Sequence, residues 1–173
     1  TKKINEIYAQ TFSKTFGLEA IGLRYFNVFG PRQDPNGQYA AVIPKWIKAI
    51  YENKPITIYG DAKTTRDFCY VKNAVQANLL SALSRNDDAI NKSYNIACGS
   101  QITLNQLAEV IERELKIIKS EIFMQKSFKD FRAGDIRHSL ANIDNAKEYL
   151  GYRPTHSFFQ GISETITNEF SNV

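Results

Sequence analysis

Two short segments carry an arginine close to a carboxylate: Thr65-Arg66-Asp67-Phe68 and Arg132-Ala133-Gly134-Asp135. The guanidinium is a fixed fork of donors that matches phosphate oxygens, and a carboxylate suits ribose hydroxyls. Arg132 and Asp135 could so clamp a nucleotide, the arginine on phosphate and the carboxylate on ribose hydroxyls, and Arg66 offers the same fork to an anion. Arg66 has a competing structural role, an ion pair with Asp67 or Asp61. A third segment, Arg24 to Pro31, reads as a strand closing on Asn27 and then Gly30-Pro31. Its end would lie at the carboxyl edge of a sheet, where open α/β sheets take ligands, and Asn27 offers both donor and acceptor there. A strand followed by a turn accounts for the same residues. A fourth, Ala40 to Trp46, opens a helix whose free N–H groups and dipole would favour an anion. Trp46 itself sits at core spacing.

The elements that must position these groups follow from periodicity. Ile4, Tyr8, Phe12 and Phe16 recur at helical spacing over residues 2–16, and Gly17 supplies the stop. Residues 20–28 form a short apolar run that predicts a buried strand, followed by a Pro- and Gly-bearing loop over 31–39. A second helix carries Ile43, Ile47 and Ile50. Strands are predicted over 56–59 and 66–71, joined by Gly60-Asp61, then a helix over 73–84 and a strand over 94–97. Thr103 with Gln106 and Ser157 with Gln160 are capping boxes opening two further helices. Asp144 is the expected cap of a short helix that stops at Gly151. Strands and helices alternate, so the class is α/β, with too few strands for a complete doubly wound sheet.

The bulk composition narrows the partners. The chain has 173 residues with 43% hydrophobic and 23% charged side chains, which suits a globular domain and argues against disorder. The net charge is +4, from 22 basic and 18 acidic residues scattered among one another, which argues against a nucleic-acid footprint. Cys69 and Cys98 lack metal-ligand spacing and read as buried free thiols of a reducing compartment. No signal peptide or membrane-length apolar run is visible, so a cytoplasmic location is expected.

In order, these segments resemble the NAD-dependent epimerase/dehydratase family, the extended short-chain dehydrogenases. Thr1-Lys2 fits the end of that family's Tyr-x-x-x-Lys motif, and Arg24-Tyr25-Phe26-Asn27 fits the strand that follows it. The runs 29–37 and 40–46 are similar to bacterial UDP-N-acetylglucosamine 4-epimerases. The resemblance covers nearly the whole chain and implies the C-terminal part of an extended Rossmann-type epimerase. Residues 1–30 would end the NAD-binding domain and 31–173 would mainly form the nucleotide-sugar domain, with 73–118 returning partly to the Rossmann sheet. Carried over residue by residue, it implies Lys2 as the active-site lysine, and Lys2 with Tyr25 at the cofactor. It implies Asn27, Ala41, Val42, Trp46, Tyr59, Arg66, Arg132, Asp135 and Ser139 at a UDP-sugar. Ser139 stands where epimerases confined to unacetylated sugars carry a bulky tyrosine, so a 2-acetamido group would have room. The family's homodimer would use helix 2–16.

The implied reaction is interconversion of UDP-N-acetylglucosamine with UDP-N-acetylgalactosamine, or of UDP-glucose with UDP-galactose, at C4 through a 4-keto intermediate, with NAD holding the hydride. The family's tyrosine would precede Thr1, and no glycine-rich dinucleotide turn occurs in these residues. The 173 residues are therefore expected to be inactive alone, to bind NAD weakly and to keep the UDP-sugar side of the site. Dehydratases, decarboxylases and uronic-acid epimerases of the same family share most of these motifs. A non-catalytic sugar-nucleotide-binding module is the reading from a different class.

Overall fold

The structure is a computed structural model, and it describes residues 2–37 and 40–170. Thr1, placed by the resemblance in the Tyr-x-x-x-Lys motif, and Tyr39, at the end of the expected loop, lie outside the described residues.

Helix α1 (Lys2–Phe16) ends at Gly17, whose φ of 68° lets its N–H reach back to the Ser13 carbonyl. The strand expected over 20–28 is two strands. β1 (Ile21–Tyr25) and β2 (Val28–Phe29) are separated at Asn27, whose φ of 37° breaks the extended backbone. Helix α2 (Val42–Tyr51) and β3 (Ile56–Tyr59) follow as the spacing predicts. The strand expected over 66–71 is likewise divided, into β4 (Thr65–Arg66) and β5 (Cys69–Tyr70), and Val71 already opens helix α3 (Val71–Ala82). Next come β6 (Lys92–Ile96), β7 (Ile102–Thr103) and helix α4 (Leu104–Ile118), the last with the predicted capping box. Strand β8 (Lys126–Lys129), helix α5 (Asp144–Leu150) and helix α6 (Phe158–Phe170) complete the order. Asp144 is not the cap but the first helical residue of α5; the N-cap is Ile143, which makes no side-chain cap bond, and Asn142 Oδ1 accepts the Asp144 N–H at 2.8 Å.

Both broken strands have one cause: each half pairs with a different partner. β1 runs parallel to β6 with Tyr25 opposite Ile96, while β2 runs parallel to β5 with Phe29 opposite Tyr70. β4 pairs antiparallel with β7, and β3 pairs parallel with β8. The switches at 26–27 and 67–68 hand the chain from one sheet segment to the next.

Two buried clusters result. One joins α2, α4, α6 and β3 through Trp46, Ile50, Ile58, Leu107, Ile111 and Ile162. The other packs α3 and α5 on the β1/β6 pair through Ala77, Tyr94, Ile96, Ala146 and Tyr152. Cys69 belongs to the second cluster, and the Cys98 thiol contacts it from the side. Cys69 is fully buried, whereas Cys98 is only partly so, correcting the expectation of two buried thiols. Facing outward, α1 shows Ile4, Ile7, Tyr8 and Phe12, and α3 shows Val75 and Leu79 with Leu83 at its C-cap, all about half exposed or more. Among the described residues no helix is long and apolar enough to cross a membrane.

Candidate functional site

Asp67 decides which way the Arg66-Asp67 pair faces. Its carboxylate turns inward and accepts the N–H of Cys98 at 3.0 Å, of Gly99 at 3.0 Å and of Ala141 at 3.3 Å. Burial nonetheless pushes its carboxyl above the ordinary value, against the pull of those N–H groups. With Asp67 committed to the loop after β6, Arg66 must face the other way, where it forms neither of the ion pairs expected from sequence. Its Nη1 donates to the Thr65 carbonyl at 2.9 Å and its Nη2 to Asp135 at 2.5 Å. Asp61 pairs with Arg137 instead. Two residues predicted to hold one ligand, Arg66 and Asp135, thus touch each other although sixty-nine positions separate them.

Arg132 reaches the same place by another route. β8 ends beside the end of β3, with Lys129 opposite Tyr59. The Phe131 ring then crosses Gly60, where φ is 84° and a Cβ would overlap the ring. This close approach returns Arg132 over the Tyr59 ring, with its guanidinium carbon 3.8 Å from the centroid. Hydrogen bonding to Arg132, and then its charge, hold the Tyr59 hydroxyl below its usual range.

The result is a hollow of about 500 Å³ at the start of α2, lined by Asn27, Val42, Trp46, Tyr59, Arg66, Arg132 and Asp135 among others. The Asn27 side-chain amide is anchored there, its nitrogen donating to the Asp67 carbonyl at 2.8 Å, and its backbone carbonyl accepts the Cys69 N–H at 3.3 Å. Trp46 is both a core residue, 5% exposed, and part of the wall. Ala41 is the N-cap of α2 and has no side-chain cap bond; Ala40 and Val42 on either side of it form the wall. Ser139 is held beside Arg66 by its N–H, which donates to the Thr65 carbonyl at 3.2 Å, and it lies just outside the lining. His138 Nδ1 lies 3.1 Å from Thr65 Oγ1, a structural contact. Sequence reasoning missed Lys45, Thr57, Phe68 and Leu104, which also line the hollow. Phe68 and Lys45 were within quoted motifs. Thr57 and Leu104 carry no local signal, because only the fold brings their elements to one wall.

Lys2 and Tyr25 lie apart from this group. They border a second hollow, about 620 Å³, between α1 and the β1/β6 pair, with Asn5, Glu6, Arg24 and Ser93. Arg24 grips Glu6 in a bidentate pair at 2.6 and 2.8 Å, and that hydrogen bonding draws the Glu6 carboxyl below its ordinary value. The Tyr25 hydroxyl donates to Asn78 Oδ1 at 3.0 Å. The Lys2 side chain is exposed at the rim. Among the described residues no group of His, Cys, Asp and Glu could hold a metal ion.

Comparison with known proteins shows the family. Residues 1–97 match the NAD dependent epimerase/dehydratase family. A UDP-glucuronate 4-epimerase of Thermodesulfobacterium geofontis is 31% identical over 174 residues, covering 100% of this chain and 50% of its own length. A UDP-N-acetyl-alpha-D-glucosaminuronate decarboxylase of Bacillus cytotoxicus is 32% identical over 178 residues, covering 96% of this chain and 54% of its own length. The solved structure of a UDP-N-acetylglucosamine 4-epimerase from Methanobrevibacter ruminantium, in complex with UDP-N-acetylmuramic acid, superposes with a TM-score of 0.87. It is 43% identical and covers 99% of this chain and 53% of that one. The chain therefore spans about half the length of the relatives it matches, and its α/β fold is the corresponding part of a Rossmann-type epimerase. It belongs to the NAD dependent epimerase/dehydratase family.

Proposed function

We propose that the chain is the UDP-sugar-binding half of an NAD-dependent nucleotide-sugar 4-epimerase, acting on UDP-N-acetylglucosamine and UDP-N-acetylgalactosamine. The observation that carries this reading is the convergence of Asn27, Tyr59, Arg66, Arg132 and Asp135 on one hollow at a helix N-terminus. The two arginines take the diphosphate, Asp135 the ribose hydroxyls and Tyr59 an edge or face of the uracil. The small Ser139 beside Thr65 leaves room for a 2-acetamido group. The solved relative that acts on UDP-N-acetylglucosamine supports that choice of sugar, and the relatives that handle uronic acids keep a uronic-acid 4-epimerase or decarboxylase as the second reading.

NAD, when bound, supplies a reversible hydride acceptor. The Lys2 ammonium, exposed at the rim of the second hollow, fits the hydroxyls of its ribose, with Tyr25 in the adjoining wall. Beside a family tyrosine, that ammonium would favour the phenolate. In this reading residues 1–30 close the dinucleotide domain, and β6 within 73–118 returns to pair with β1. The bared apolar faces of α1 and α3 suit a homodimer. Catalysis belongs to a polypeptide that also carries the tyrosine and the glycine-rich turn, and the present residues alone are inactive.

Calorimetric titration with UDP and UDP-N-acetylglucosamine tests this, with an Arg66→Ala, Arg132→Ala double variant alongside. Binding that the double variant loses supports the half-site. A folded chain that binds neither ligand overturns it. Accumulation of a 4-keto sugar by the complete gene product would reject the epimerase in favour of a dehydratase.

A further inference from the structure

The nucleotide hollow is lined by four charged residues: Lys45, Arg66, Arg132 and Asp135. Three are engaged with one another or with the wall. Arg66 pairs with Asp135, and Arg132 rests on Tyr59. Lys45 is different. Among the described residues its ammonium has no carboxylate and no hydrogen-bond partner. It stands on the cavity face of α2, where Val42, Lys45, Trp46 and Ala49 recur at helical spacing and all line the hollow. It is near enough to Tyr59 for its charge to favour the ionised hydroxyl.

The charge balance says what this ammonium meets. Three cations against one carboxylate leave the hollow with two uncompensated positive charges. The diphosphate of a nucleotide-sugar, a diester on both sides, carries two negative ones. Removing Lys45 from that balance would leave one phosphate charge without a counterpart inside the site.

We propose that Lys45 is a positioning residue for the diphosphate of the bound nucleotide-sugar, its ammonium meeting a phosphoryl oxygen while Arg66 and Arg132 hold the rest. This rests on the UDP-sugar reading above, and the test separates the two. Uridine and UDP are titrated into the wild type, Lys45→Met, Lys45→Arg and Arg66→Ala, in the 173-residue chain and in the complete gene product. Melting curves verify that each is folded. The methionine variant is expected to bind uridine as the wild type does but UDP about tenfold more weakly, the loss of one charge-assisted contact. Arginine, which keeps the charge, should restore most of it. Wild-type affinity for UDP should also fall with added salt more steeply than that of Lys45→Met.

UDP affinity of Lys45→Met within twofold of the wild type overturns the proposal. So does an equal loss for uridine and UDP, which would place Lys45 at the base. In either case a wild type that binds UDP and an Arg66→Ala variant that does not leave the UDP-sugar reading standing. A folded wild type that binds no UDP removes both.

Discussion

Asp67→Ala should be the most damaging single polar substitution next to the site. The side chain is fully buried and accepts three backbone N–H groups, from Cys98, Gly99 and Ala141. An alanine leaves all three without an acceptor. An unpaired buried donor costs roughly 1 kcal/mol at the low end, so the loss is about 3 kcal/mol. For a domain of this size that lowers Tm by about 6–12 °C. The pH dependence carries a second sign. Burial raises the Asp67 carboxyl above its ordinary 3.8, so the folded chain holds that proton more tightly than the unfolded chain does. Wild-type stability on this account falls as pH rises from 3.8 through the raised value, and the cost of ionisation is fully present at neutral pH. The variant lacks the group, so its deficit should widen as the pH is lowered into that window. Thermal melts by circular dichroism at neutral and mildly acid pH measure both effects. A drop under about 2 °C at neutral pH would mean that solvent replaces the carboxylate freely. A deficit that narrows on acidification would refute the assignment of burial as the dominant influence.

Two further outcomes follow from the packing. Gly161→Ala would bring a Cβ to 2.7 Å from Tyr70 Cγ and 2.8 Å from Phe29 Cζ, in the core, so denaturant melts should show a loss of about 1–3 kcal/mol; an unchanged midpoint would mean that α6 shifts without cost. Contact with Cys69 draws the Cys98 thiol below its ordinary 9.0, with the Asn73 amide 3.6 Å away as a further donor, while Cys69 is pushed upward by the same contact and by burial. Iodoacetamide at pH 8 should therefore modify Cys98 well before Cys69, read by peptide mass spectrometry, and equal labelling would contradict the assignment.

Helices were the legible part of this fold because their signals are local. The spacing of Ile4, Tyr8 and Phe12 and the Thr103/Gln106 box each sit within one element, and the structure keeps both. Strands were legible only as apolar runs. Residues 20–28 and 66–71 each read as one strand, since nothing in composition announces that the halves pair with different partners. Arg66 was legible as a cavity residue, but its actual partner was not. The near neighbours Asp67 and Asp61 are each taken, by backbone N–H groups and by Arg137. A carboxylate distant in sequence wins because the fold supplies it.

Strand β8 makes that point in full. Lys126-Ser127-Phe128-Lys129 has one apolar residue, and Phe128 is 58% exposed, so no periodicity marks it as a strand. It exists because β3, with Ile56 and Ile58 buried and backbone groups to satisfy along one edge, offers a template. Its register nonetheless governs the site. With Lys129 opposite Tyr59, Phe131 falls on Gly60, Arg132 on Tyr59, and Asp135 within reach of Arg66. A slip of one residue would reverse which side chains face the hollow and carry Arg132 off the ring. The motif that reads most clearly as chemistry, Arg132 to Asp135, is thus aligned by the segment that reads least clearly as structure. Gly60 is the link between them: its missing Cβ makes room for Phe131, and that contact keeps the cation over the tyrosine.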